Sequence, residues 1–180
     1  IEEISALNAD LDQHVVICGY GRVGQSIGRF MRNANQPYIA LDNDPVRIQE
    51  ASASESNVHY GDSSRADLLI AVGLLRARLV VIAVDQSEVT LRILEEARRH
   101  NDQVPILVRT RDDSQLTELK AAGATEVVPE LLESSLMLGS HALIMLGLPA
   151  RQVQERVDQV RSDRYRLLHG LYRGADDEET

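Results

Sequence analysis

Val15-Val16-Ile17-Cys18-Gly19-Tyr20-Gly21-Arg22-Val23-Gly24 decides the fold of this chain. An apolar run ends in Gly-x-Gly-x-x-Gly, and a helical pattern follows it. Eighteen residues after Gly24 a second apolar run closes on Asp42. Strand, glycine turn, helix, strand and terminal acid make up a dinucleotide-binding βαβ unit. Each glycine has its own task. Gly19 permits the tight turn out of the strand, Gly21 lets the backbone approach phosphates, and Gly24 lets the helix pack close to the sheet. The helix start then offers unpaired N–H groups and a positive dipole end to an anion. Asp42 would accept hydrogen bonds from ribose hydroxyls, and its charge disfavours a 2′-phosphate.

The surrounding composition agrees with a covered parallel sheet. Of the 180 residues, 43% are hydrophobic but only 3% aromatic, so the core is aliphatic. The net charge of -9 comes without a basic stripe, which argues against a nucleic-acid partner. No apolar run approaches the roughly 18 residues of a membrane span, and no signal peptide is visible. The single cysteine, Cys18, lies inside the first strand and reads as a small buried hydrophobe. The absence of a disulfide framework fits a reducing cytoplasm. The chain opens on Ile1 rather than Met, which sets the expectation of a segment cut from a longer polypeptide. The acidic stretch 174–180 reads as a disordered tail.

Strand and helix signals alternate from there on. Strands are expected at about 14–18, 38–41, 57–60, 79–84, 106–109 and 126–128. Helices are expected at about 21–33, 44–54, after Ser64, 87–100 and 112–122. The first helix would turn Val23, Ile27, Phe30 and Met31 inward. Asp44 and Pro45 read as N-cap and first helical residue of the second. The predicted architecture is a Rossmann-like doubly wound α/β fold with a six-stranded parallel sheet in the order 3-2-1-4-5-6. Right-handed crossovers then place the cleft at the carboxyl ends of strands one and four. Residues 131–148 form a helix that is apolar on nearly every side, which a small lobe cannot surround but a second subunit can. With a charged, amphipathic helix expected at about 150–172, it reads as a dimerisation arm. His141 on the apolar helix reads as a buried, satisfied histidine.

Polar candidates fall at the ends of strands. Arg22 sits beside the phosphate turn. Asp44 either supports the ribose or caps its helix. Asp62 either accepts from an adenine amino group or caps the next helix. Backbone groups of Ala83-Val84 would line the base, and Asp85 either joins them or caps. Arg109 ends strand five and points into the same cleft. The histidines are scattered without ligand spacing, so no metal site is expected. No nucleophile–base pair is visible, and the rest of the chain is too small for a substrate domain. The residues read as a nucleotide site without catalytic machinery, hence a sensor and not an enzyme.

HVVICGYGRVGQSIGRFM (14–31), YIALDNDPVRIQEA (38–51), VHYGDSSRADLLIAVGL (58–74), VVIAVDQSEVTLRILEEAR (80–98) and PILVRTRDDSQLTELKAAGATEVVPELLESSLMLG (105–139) together resemble an RCK domain. This domain is also called KTN or TrkA-N. The resemblance is to the C-terminal cytosolic domain of Kef-type potassium efflux (cation–proton) antiporters. The phrases Asp42-Asn43-Asp44-Pro45, Tyr60-Gly61-Asp62-Ser63 and Val127-Val128-Pro129-Glu130 carry it most specifically. The resemblance implies a lobe at 13–130 that binds an adenine nucleotide: AMP first, with ATP, ADP or NAD(H) as alternatives. It implies a homodimer formed through a crossover helix within 131–173. Residues 1–12 would link to a membrane transport domain of the same polypeptide, on the cytoplasmic side of the cell membrane. Carried over by position, Gly19, Tyr20, Gly21, Arg22 and Val23 would meet the phosphates, and Gly24 completes the same nucleotide-binding turn. Asp42 would hold the ribose, with Asn43 and Asp44 nearby. Gly61, Asp62, Ser63, Ala83, Val84 and Asp85 would surround the base. Kef-type members also form a glutathione site with arginines that correspond to Arg22 and Arg109. Relatives that respond to glutathione carry basic residues on the crossover helix where this chain has Met137 and Ser140. That departure speaks against glutathione and for gating by the nucleotide. The alternatives are an NAD(H)-dependent soluble oxidoreductase or redox sensor, and a peripheral subunit of a Trk- or Ktr-type potassium uptake system.

Overall fold

The computed structural model describes residues 1–53 and 57–168. They form two compact units. The larger comprises Ile1–Thr110 and Leu116–Val128; the smaller comprises Arg111–Gln115 and the described chain from Pro129. The strands are β1 Val15–Cys18, β2 Tyr38–Asp42, β3 Val58–Tyr60, β4 Leu79–Ile82, β5 Ile106–Thr110 and β6 Glu126–Pro129. They build one six-stranded parallel sheet in the order β3-β2-β1-β4-β5-β6, the doubly wound order expected. Cys18 pairs in register with Leu41 of β2 and with Ile82 of β4, so three strands end level with the glycine turn.

Alternation within β1 feeds two cores. Val16 and Cys18 join Ile39, Leu41, Ile82 and the apolar faces of α4 (Ala66–Ala71), α5 (Ser87–His100) and α6 (Leu116–Ala121). Val15 and Ile17 face the other way, with Tyr20, Tyr38, Ala40 and Val81. A strand buried on both faces reads as a continuous apolar run. Each aliphatic side chain taken fully from water contributes about 1.5–3 kcal/mol.

Helix α2 (Arg22–Asn33) corrects one expectation. Phe30 is not inward but 71% exposed. The helix meets the sheet through its glycines: Gly24 and Gly28 are its buried residues. A methyl group at Gly28 would stand 2.5 Å from the Tyr20 hydroxyl. Position 30 lies roughly 120° around the helix from Gly24, clear of that contact line. Residues 1–12, expected as a linker, carry helix α1 (Glu2–Leu7) within the larger unit. Ile4 and Leu11 pack on the core, and the Arg76 guanidinium donates to the Leu11 carbonyl at 2.9 Å. Helix α3 (Pro45–Ser52) starts as expected, with the Asp44 carboxylate accepting from the Val46 amide.

In the smaller unit, α7 (Glu130–Met145) buries only Leu132. Met137, Leu138, Met145 and Leu146 are 63%, 72%, 87% and 77% exposed. His141, expected buried, is exposed among them. Helix α8 (Ala150–Ser162) is shorter than its sequence pattern. Arg164 takes a φ of 54°, and the Tyr165 amide bonds back to the Val160 carbonyl, which closes a left-handed helix end. The Tyr165 hydroxyl and the Arg161 guanidinium both bond the Glu133 carboxylate of α7. The expected helical residues 169–172 and the acidic tail 174–180 lie outside the described residues.

Candidate functional site

The carboxyl ends of β1 to β5, all within the larger unit, bring the candidate residues together. Gly19 leaves β1 with a φ of 94°, a left-handed conformation that suits glycine. Its amide donates to the Leu41 carbonyl at 2.8 Å. A methyl group there would stand 2.8 Å from Val84 Cγ1, so the turn lies directly against the end of β4. A methyl group on Gly24 would stand 2.1 Å from the Gly19 carbonyl oxygen, so only glycine lets α2 begin this close to the turn. Gly21 is the N-cap of α2; no side chain caps the helix, and its first turn holds no acid. An anion suits the leading N–H groups of such a helix as acceptor. Arg22 is exposed at that helix start, and Val23 is half-buried.

Asp42 ends β2 with its side chain 3% exposed. One carboxylate oxygen accepts from the Tyr20 amide at 2.7 Å, and the other from the Asp44 amide at 2.8 Å. It thus ties the β1–α2 turn to the β2–α3 turn. Carboxylate oxygens have further lone pairs, so ribose hydroxyls can add to these bonds. Asn43 is exposed beside it. Tyr20 gives the site only backbone, because its ring is fully buried and its hydroxyl lies 3.1 Å from that of Tyr38.

The base-side candidates divide. The Gly61 amide donates to the Asp42 carbonyl at 2.9 Å, which joins the end of β3 to the site. Asp62 accepts from the amide and hydroxyl of Ser64 at 2.9 and 2.7 Å. Those bonds, the hydroxyl foremost, hold its carboxyl below the usual range, and so it stays charged. It shapes the turn and does not cap α4, whose N-cap is Arg65. Ser63 and the Cys18 thiol are both buried. Burial pushes that thiol up to about 12, so Cys18 is no nucleophile. Arg109 donates to the Ala83 carbonyl at 3.0 Å and reaches Asp85 at 3.7 Å, joining β4 and β5 at the cleft. Asp85 does not cap α5, whose N-cap is Gln86.

Arg47 is the residue that the sequence reading missed. Its Cζ lies 3.7 Å from where a methyl group on Gly21 would stand, and it reaches Asp42 at 3.5 Å and Asp44 at 3.6 Å. The available signal was its place three residues after an N-capping acid, where a side chain points back along the helix toward its start. Among the described residues no group of three or more His, Cys, Asp or Glu is placed to hold a metal ion. No described helix is long and apolar enough to cross a membrane.

Comparison with known proteins agrees with this fold. The TrkA-N domain model matches residues 15–130. The chain is 47% identical over 167 residues to an Alkalimonas amylolytica protein named as a candidate K(+) efflux antiporter, KefB. That match covers 93% of this chain and 25% of the relative. It is 32% identical over 163 residues to the glutathione-regulated potassium-efflux system protein KefC of Cronobacter sakazakii, covering 91% of this chain and 26% of that one. The chain thus spans about a quarter of the length of these relatives. The Shewanella denitrificans Kef C-terminal domain, solved in its AMP-bound form, superposes with a TM-score of 0.72 at 34% identity. That superposition covers 88% of this chain and 96% of the other.

Proposed function

Because this chain belongs to the TrkA-N domain family, we propose that it is the nucleotide-binding regulatory domain of a potassium efflux antiporter and that AMP is its ligand. One observation carries the reading. The buried Asp42 carboxylate stands beside a glycine turn that opens onto the uncapped start of α2. A phosphate would accept from the leading amides of α2 next to Arg22 and Val23. Ribose hydroxyls would donate to Asp42. The base would lie between the Gly61–Asp62 turn and the Ala83–Asp85 end of β4. The AMP-bound Kef domain, 34% identical, supports a mononucleotide. The reading assigns no catalysis. Neutral Cys18 and the acids of the cleft, engaged in turns and ion pairs, form no nucleophile–base pair.

Regulation requires two arrangements that the ligand tells apart. We place the second partner on α7, whose exposed apolar side chains suit a second copy of this chain, and the controlled element in a membrane transport domain of the same polypeptide. The domain would then work at the cytoplasmic face of the membrane. Glutathione is left out: on α7 this chain offers Met137 and a Ser140 hydroxyl already bonded to the Leu136 carbonyl.

Calorimetric titration with AMP, ADP, ATP, NAD⁺, NADH and glutathione, each alone, tests the ligand. Preferred binding of AMP without a glutathione signal is the expected result. Tight binding of NAD⁺ or NADH alone would replace this reading with a redox sensor, and silence from every nucleotide would refute it. Light scattering of the wild type and of Leu138→Asp with Met145→Asp tests the dimer. A wild-type mass of one chain would refute the role given to α7.

A further inference from the structure

We propose that Arg47 is a displaceable phosphate clamp: its guanidinium lies over Gly21 and moves from there to hold the phosphate of a bound nucleotide. This rests on the nucleotide reading above. Three atoms of the side chain, Cζ, Nη1 and Nε, stand 3.7, 3.8 and 3.9 Å from a methyl position on Gly21. Such even distances mean that the plane of the guanidinium lies flat over that residue. It therefore fills the space that glycine leaves open for a phosphate.

The bonds that keep it there are weak beside their neighbours. Arg47 reaches Asp42 at 3.5 Å and Asp44 at 3.6 Å, whereas the two backbone amides reach Asp42 at 2.7 and 2.8 Å. The Arg47 side chain is also 49% exposed, so water screens both ion pairs. Its backbone, by contrast, is fixed. Pro45 and the Asp44 cap set the first turn of α3, which leaves the long side chain as the part that moves. Ribose hydroxyls arriving at Asp42 take over the contact that Arg47 makes there. The freed guanidinium starts from its place over Gly21, the N-cap of α2, and presents its N–H edge to the phosphate. Charge-assisted bonds from a planar fork to phosphate oxygens are stronger than neutral ones. Adenosine must displace the same side chain and offers it nothing in return. Arg47 thereby selects phosphorylated over unphosphorylated adenine ligands.

The test is calorimetric titration of wild type, Arg47→Ala and Arg47→Lys with AMP and with adenosine. Arg47→Ala is expected to weaken AMP about tenfold or more while leaving adenosine unchanged or tighter. Arg47→Lys, which keeps the charge but loses the fork, should fall between. Equal losses for AMP and adenosine would overturn the proposal, since the side chain would then act on the base or ribose. Tighter AMP in Arg47→Ala would overturn it too, because the residue would be only a plug. An unchanged AMP affinity in a wild-type-like background sinks the clamp and leaves the nucleotide reading standing. Failure of the wild type to bind AMP or any other nucleotide removes both.

Discussion

Replacing Asp42 with alanine should damage the chain twice, and the two losses can be measured apart. The carboxylate, 3% exposed, is the acceptor for the Tyr20 amide at 2.7 Å and the Asp44 amide at 2.8 Å. Tyr20 is wholly buried, so its N–H would be stranded away from water. A stranded buried donor costs about 1–3 kcal/mol, and the half-buried Asp44 amide adds a smaller amount. Loss of the Arg47 contact adds little, because that pair is long and half-exposed. The sum is about 2–4 kcal/mol with no ligand present, or a fall in Tm of roughly 5–15 °C for a chain of this size. Asp42→Asn should fall between, since its amide nitrogen would face one of the two backbone donors. Separately, AMP titrated at a temperature where both proteins are folded should bind Asp42→Ala about ten- to a hundredfold more weakly. A ligand-free Tm within about 1 °C of wild type would refute the carboxylate as a strut between two turns. A lowered Tm with unchanged AMP affinity would keep the strut and refute the ribose contact.

Acid should weaken the fold through His14. Its ring is fully buried, Nε2 donates to the Val72 carbonyl at 2.7 Å, and Nδ1 has no hydrogen-bond partner. Burial, and then the Arg76 charge, hold its pKa below the usual histidine value. The unfolded chain therefore binds the proton first, and stability drops as the pH falls below about 6.5, by at most about 1.4 kcal/mol per unit for this group. Half-buried His59, lowered chiefly by desolvation, adds in the same direction. Denaturant titrations between pH 7.5 and 5.5, about the reference pKa, should show this slope, reduced in His14→Gln; an unreduced slope would refute the assignment. Gly24→Ala puts a methyl group 2.1 Å from the Gly19 carbonyl oxygen, so the turn or the helix must shift. A loss of about 3 kcal/mol is expected, with AMP binding impaired, and a variant as stable as wild type would contradict the packing described. In the smaller unit, a double-mutant cycle on Glu133 and Arg161 should give a coupling below about 1 kcal/mol, because Arg161 is 48% exposed. A coupling of several kcal/mol would mean that the pair is shielded from water.

The order of the sheet was legible because β1, β2 and β4 are short aliphatic runs between turn signals, as buried parallel strands are, and the glycine turn after β1 marks the dinucleotide-binding order among doubly wound sheets. The start of α3 was equally plain, since Asp44-Pro45 states cap and first turn in two residues. What escaped were features set by partners distant in sequence. Phe30 carries the mark of a core residue but is left outside by two glycines that take the sheet contact in its place. The end of α8 gave no glycine to announce it, because Arg164 adopts the left-handed conformation there while Tyr165 anchors to Glu133.

The site shows the same division. Gly19, Gly24 and Asp42 could be read because their work is local: a positive φ, a missing methyl group and an acceptor at a strand end are properties of one residue in one turn. Arg47 could not, because its place is decided by what faces it. Arg47 looks like one more solvated charge on a helix. The level ends of β1 and β2 bring α3 alongside the glycine turn and lay its guanidinium over Gly21. The glycine fingerprint thus predicts where a phosphate is admitted. On the clamp proposal, the preference for a phosphorylated over an unphosphorylated ligand falls to a side chain on the next helix, whose identity the fingerprint does not constrain.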